Sequence, residues 1–168
     1  VSAPLFYNNI DLRIDAKNRL FIPSDVRKRI DSQVHGTGLF VILGNNHLPW
    51  LYPDKYYESL VPPMPEEITP DSDWLNYARL KFSLADRIEP DEQGRVVLPE
   101  KILTAAHIEK DITLVGCIDH LEIWNRPAWD VYVKELVANS ETIEAKGKEA
   151  ISKAGRVRED KVSVVTAR

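Results

Sequence analysis

Asp15-Ala16-Lys17-Asn18-Arg19-Leu20-Phe21-Ile22-Pro23 returns, altered, as Asp91-Glu92-Gln93-Gly94-Arg95-Val96-Val97-Leu98-Pro99. Asp, Arg and Pro keep one spacing, at an offset of 76 residues. Two copies of one pattern in a chain of 168 residues indicate an internal duplication. Each copy reads as a hairpin running into a helix. Ile10, Leu12 and Ile14 alternate with Asp11, Arg13 and Asp15, which is strand periodicity with one apolar face. Asp15 suits the start of a turn because its carboxylate accepts nearby backbone N–H groups. Asn18 and Gly94 occupy equivalent places and tolerate positive φ, so both are placed in the left-handed region. Leu20 and Ile22 then face the core, with Arg19 and Phe21 on the other side. Pro23 and Pro99 end the strands and suit a first helical position. Val26 and Ile30 are matched by Ile102 and Ala106.

Outward from the motif the same alternation continues. Leu39 to Leu43 predict a buried strand, Gly44-Asn45-Asn46 a turn, and Leu48 to Tyr52 a returning strand. Pro53 opens a short helix with Tyr56 and Leu60 on one face. The second copy repeats this: a strand over Ile112 to Ile118, a turn at Asp119-His120, and a strand over Leu121 to Trp124. A helix follows with Trp129, Val133 and Leu136 on one face. Between the copies, the four prolines from Pro62 to Pro70 exclude regular structure and read as an ordered spacer. Asp71 to Ala85 predict a helix with two apolar stripes. Trp74, Ala78 and Phe82 form one and Tyr77, Leu80 and Leu84 the other, as in a helix packed on more than one side. Glu141 to Ala154 read as a marginal helix, and Gly155 to Arg168 as a mobile charged tail.

Composition bounds the function. The chain is 43% hydrophobic and 29% charged, an ordinary globular balance. Its net charge of −4 counts mildly against a nucleic-acid binder, but the charge is unevenly spread. Residues 1–30 carry six cationic side chains against three aspartates, whereas 54–76 carry one lysine against six carboxylates. A basic end can meet an anion while the rest stays soluble. The single Cys117 excludes a disulfide framework within one chain and reads as core packing. His35, His47, His107 and His120 share no ligand spacing on a helix face, so no metal is expected, and no cofactor. No nucleophile elbow, phosphate-cradling loop or supported carboxylate pair points to an enzyme or a small-molecule substrate. No apolar run is long enough for a signal peptide or membrane span, so a cytoplasmic protein is expected.

These residues resemble the MraZ family. The resemblance lies in Asp15 to Arg19 with Pro23, and in Asp91 to Arg95 with Pro99. It also includes Phe6, the segment Ala78-Arg79-Leu80-Lys81-Phe82, and Glu122-Ile123-Trp124. It covers about residues 5 to 138. The chain departs from the family pattern at Asn18, where Gly is usual, and at Glu92 and Gln93 in the second motif. Its spacer and tail are also longer. The resemblance implies an α+β fold: a double swapped-hairpin, AbrB-like β-barrel with flanking helices, built from the tandem repeat. It implies a first repeat and spacer over 1–75, a second over 76–140, and the tail over 141–168. It further implies a ring-shaped homo-oligomer, nucleoid-associated in bacterial cytoplasm. Such a protein binds double-stranded DNA and regulates the division and cell-wall gene cluster, usually as a repressor, by reading direct repeats.

The DNA-contacting arginine of the family carries over to Arg19 and Arg95. Independent chemistry adds Arg13 and Lys17, placed with Arg19 on the non-core face and tip of the first hairpin; a two-stranded ribbon fits the major groove. Asp15, Asn18, Pro23, Asp91, Gly94 and Pro99 are read as the structural frame. Competing readings stand beside these. Arg19 and Arg95 can instead pair with Asp15 and Asp91 across their turns. Arg27-Lys28-Arg29 reads as a solvated helix face. The alternative function is an antitoxin-like protein-interaction module, with acidic 54–76 as its face. Phe6 and Phe21 are the expected fillers of a subunit interface. Local charge separates the hairpins: Glu89 stands where Arg13 does, and Gln93 where Lys17 does, which predicts that the first hairpin dominates.

Overall fold

A computed structural model describes residues 1–64 and 72–166, with backbone alone from 155. Most of the proline-rich spacer, residues 65–71, lies outside the described residues. In chain order the first unit holds β1 (Asn9–Arg13), β2 (Arg19–Phe21), α1 (Ser24–Arg27), α2 (Ser32–His35), β3 (Leu39–Leu43) and β4 (Pro49–Pro53). It continues with α3 (Asp54–Leu60), α4 (Asp73–Ser83), β5 (Asp86–Ile88), β6 (Arg95–Val97), α5 (Glu100–Ala105), β7 (Asp111–Cys117) and β8 (His120–Asn125). The second unit, Pro127–Arg168, is helical: α6 (Arg126–Ala138) and α7 (Ser140–Thr166). Within α6, Trp129, Val133 and Leu136 are half-buried, as their spacing predicts, together with Arg126 at its start.

One sheet runs in the order β1-β7-β8-β4-β3-β5 and a second is the pair β2-β6. Every pairing is antiparallel, so the fold is α+β. Both turns form where the sequence places them: the Asp15 N–H donates to the Arg19 carbonyl at 3.0 Å, and the Asp91 N–H to the Arg95 carbonyl at 2.8 Å. The two motif strands nevertheless do not make local hairpins. β1 pairs with β7, and β2 pairs with β6 from the other copy. The reason is donor accounting. The Ile14 N–H is taken by the Lys110 carbonyl at 2.8 Å. Those of Ile22 and Leu98 are taken by the Gly94 and Asn18 carbonyls, both at 2.8 Å. The partners of each return strand therefore come from the opposite copy.

Leu20 and Val96 face each other in this exchanged pair, both 0% exposed. They join Ile14, Ile22, Leu98, Ile102, Leu114 and Ile123 in one core drawn from both copies. Val26 and Ile102 supply the core faces of α1 and α5, with Ile30 and Ala106 packed beside them. An ion pair that spacing does not reveal ties β5 to the start of α3. Asp54, the buried first residue of α3, accepts from Arg87 Nη2 at 2.7 Å and Nε at 3.0 Å. A Cβ at Gly36 or Gly38 would strike this carboxylate, which explains both glycines.

Several expectations are corrected. Phe6 is not an interface residue: it bridges to Ile118 and is 1% exposed in the core. Cys117 is exposed, because it ends β7 at the turn rather than lying in the middle of the apolar run. Among the described residues α4 has no buried side chain; Tyr77 and Leu80 of one stripe and Phe82 of the other are exposed, while Leu84 packs against the core, so neither stripe is fully covered in a single chain. Leu60 is likewise exposed. Pro23 and Pro99 are the N-caps of α1 and α5, one position earlier than expected. The helix from Ser140 continues to Thr166, past its expected end at Ala154.

The exchange predicts a sharp contrast between neighbours. Leu20→Ala should cost about 2–5 kcal/mol in chemical denaturation, the usual range for a buried leucine. Phe21→Ala, on the open face, should cost far less.

Candidate nucleic-acid interface

Period-two geometry gives the β2-β6 ribbon two unlike faces. Leu20 and Val96 form the buried one. Arg19, Phe21, Arg95 and Val97 form the open one, with Arg19 opposite Val97 and Phe21 opposite Arg95. Phe21 is 45% and Val97 57% exposed. Arg19 and Arg95, 76 positions apart in the chain, thus lie diagonally on one face of one ribbon.

Each arginine is held by its own turn. Asp15 accepts the backbone N–H groups of Lys17 at 2.8 Å and Arg19 at 2.9 Å, and then Arg19 Nε at 2.6 Å. Asp91 repeats this with Gln93, Arg95 and Arg95 Nε, each at 2.9 Å. The backbone N–H of Arg19 or Arg95 is the largest cause that holds each carboxyl below the usual aspartate range; burial opposes it, and the guanidinium and the second backbone N–H add to the lowering. Asn18 has φ +57° and Gly94 φ +80°, which completes both turns in the left-handed region. The pairing reading of Arg19 and Arg95 is therefore correct as geometry. It does not consume the side chains: both stay about one-third exposed, and the Arg19 Nη groups have no bond among the described residues.

The remaining sequence candidates separate. Lys17 sits exposed at the tip of the first turn, and its ammonium has no partner among the described residues. Arg13 does not share a hairpin with Arg19. It lies on β1, in the larger sheet, and its Nη1 bonds Asp111 at 2.7 Å. Nor is Arg27-Lys28-Arg29 one solvated face. Arg27 Nε donates to the Ile22 carbonyl at 3.0 Å, and Arg29 stacks on Tyr7 at 3.6 Å. Lys28 alone of the three is largely exposed.

The exchange also swaps the neighbours of the two turns. Lys110 Nζ donates to Asn18 Oδ1 at 3.0 Å and the Asp15 carbonyl at 3.3 Å, and Asn18 donates to Glu100. Arg27 lies where a Cβ on Gly94 would be. Around the first turn, Lys17, Arg19 and Lys110 face Asp15 and Glu100. Around the second, Arg95 and Arg27 face Asp91 and Glu92. Each turn thus gains a cation from the other copy, Lys110 at the first and Arg27 at the second. Lys110 was invisible to spacing, since it reaches Asn18 across 92 positions.

The turn carboxyls give a pH signature. Each titrates lower in the folded chain than in the unfolded one. Their stabilisation is fully present above the ordinary aspartate pKa and is lost as pH falls through the depressed folded value. Asp15→Asn combined with Asp91→Asn should therefore lose less stability between neutral and acid pH than the parent chain, as followed by denaturant titration.

Comparison of the sequence with known proteins points to one family. The sequence profile described as "MraZ protein, putative antitoxin-like" matches residues 82–151. A relative from Syntrophobacter fumaroxidans is 30% identical over 131 residues, covering 78% of this chain and 86% of its own length. One from Mycoplasmopsis pulmonis is 31% identical over 126 residues, covering 75% and 82%. One from Clostridium tetani is 29% identical over 128 residues, covering 76% and 87%. All three are named "Transcriptional regulator MraZ". With its duplicated Asp-Arg-Pro turns and with relatives matched over most of their length, the chain belongs to the MraZ family.

Proposed function

We propose that the chain is a transcriptional regulator that binds double-stranded DNA through the open face of the β2-β6 ribbon. The observation that carries this reading is the gathering of Arg19 and Arg95 on that face, with Lys17 beside them. Arginine can bond guanine through two N–H groups and lysine can neutralise phosphate. Asp15 and Asp91 then act as orienting groups that hold each guanidinium in place before DNA arrives. Arg13 is a peripheral phosphate contact in this reading, because it must share itself with Asp111. The names of the relatives support the regulatory role.

The finer reading follows the family resemblance. The two repeats, 1–75 and 76–140, form an AbrB-like swapped-hairpin barrel, and the exchange of β2 and β6 supports that view. Copies assemble into a ring, for which the exposed Tyr77, Leu80 and Phe82 of α4 and the open edges of β1 and β5 offer material. The ring represses the division and cell-wall cluster by reading direct repeats in the nucleoid. An antitoxin-like docking role gains less support, since Asp54 of the acidic stretch is buried against Arg87.

The test is a salt titration of binding to DNA from upstream of the protein's own gene. Arg19→Ala should weaken specific binding by about 1–3 kcal/mol with little change in melting temperature. Lys17→Gln should weaken all DNA alike and flatten the log–log salt slope by about 0.9 per contact. Arg95→Ala should cost less than Arg19→Ala, because Arg95 has both Nε and Nη2 within 2.9 Å of Asp91. Unchanged affinity in all three variants would contradict the reading.

A further inference from the structure

The β7-β8 turn gathers a set of donors that the DNA reading does not use. Cys117 and His120 are opposite each other across this turn, and Glu122 follows two positions on. Strand alternation puts all three side chains on one face. Cys117 Sγ, a ring nitrogen of His120 and a carboxylate oxygen of Glu122 lie within 4.8 Å of one another. His120 is 8% exposed, and its Nε2 is buried without a hydrogen-bond partner among the described residues. Its ring is locked in place. Trp50 stacks on it at 4.2 Å between centroids, Tyr52 lies at 5.1 Å, and Nδ1 meets Asp119 Oδ1 at 2.7 Å.

We propose that Cys117, His120 and Glu122 form a binding site for a borderline divalent cation of the zinc class. The hydrogen bond fixes the argument. Asp119 accepts from Nδ1, and Nε2 faces Glu122 Oε1 at 3.5 Å, so the neutral ring turns its lone pair toward Glu122. The buried gap between Nε2 and the Glu122 carboxylate accommodates a positively charged species. A proton can fill the gap but cannot engage the thiol; a divalent ion uses all three donors. The arrangement of carboxylate, imidazole and metal is a standard way to orient a ligating histidine. Glu122 Oε2 is held by Trp124 Nε1 at 2.8 Å and Asn46 also bonds the carboxylate, while Oε1 is the oxygen turned toward His120 Nε2. Sulfur, nitrogen and oxygen donors together favour Zn²⁺ or Co²⁺ over Mg²⁺ or Ca²⁺. Exposed Cys117 gives the ion a way in and leaves room for a water as fourth ligand. Ile118 at φ +63° makes the tight turn that brings Cys117 to His120, a conformation costly for a β-branched residue.

The test uses the full, reduced chain with Co²⁺ and Zn²⁺ as probes. One Co²⁺ should bind per chain and give a thiolate-to-cobalt charge-transfer band that Zn²⁺ displaces. Zn²⁺ should raise the melting temperature. Cys117→Ser changes an exposed residue and should fold normally. It should abolish the band and weaken binding by about tenfold or more. Asp119→Asn should weaken binding by a similar factor while keeping the band. His107→Ala, at an exposed histidine elsewhere, should change nothing. Three results would each overturn the site: no stoichiometric binding at micromolar protein, an unchanged band in Cys117→Ser, or binding lost in His107→Ala.

Discussion

The pairing of β2 with β6 is the constraint on which the rest depends. Three residues from each copy meet, and the Leu20–Val96 contact at the centre is fully buried. Among the described residues neither strand pairs with any other strand, and an unpaired buried N–H or C=O is costly. The two repeats must therefore fold together. The turns before these strands are shaped to deliver them, each closed by an aspartate that accepts backbone N–H groups and an arginine. A repeat unit that looks self-contained along the chain is in space half of a shared structure.

The same exchange creates the candidate site. Alone, each motif offers a single arginine beside a carboxylate, a weak attraction for DNA in water. Joined, they place two arginines on one narrow ribbon with Lys17 at its edge. The exchange also moves neighbours between copies. Arg27 from the first copy backs the second turn, while Glu100 and Lys110 from the second reach the first. The asymmetry seen in local charge is thereby diluted. Farther out, β5 pairs with β3 and the Asp54–Arg87 pair ties it to the start of α3, so that the strand leading into the second motif has a fixed origin.

Much of this was legible in the sequence, and the misses share one cause. Alternation gave the buried positions of the motif strands correctly, from Ile14 to Ile22, and the chemistry of Asn and Gly gave both left-handed positions. Periodicity says which face of a strand is buried; it does not say which strand lies beside it. So β1 and β2 read as a hairpin, and Arg13 was grouped with Arg19, although they lie in different sheets. Phe6 was misplaced for the same reason, since its burial depends on a bridge to Ile118. Lys110, Arg27 and the cluster at Cys117 are contacts across copies or across a turn, which spacing along a helix face does not reveal.

The central claim is that the open face of the exchanged ribbon meets DNA. Val97 tests it most directly. It is 57% exposed on that face, and its side chain takes part in none of the ion pairs there. A photo-crosslinking amino acid placed at Val97 should attach to DNA from upstream of the protein's own gene, and not to a scrambled fragment at the same salt. A protein that binds the upstream fragment specifically, yet never crosslinks from Val97, would contradict the account.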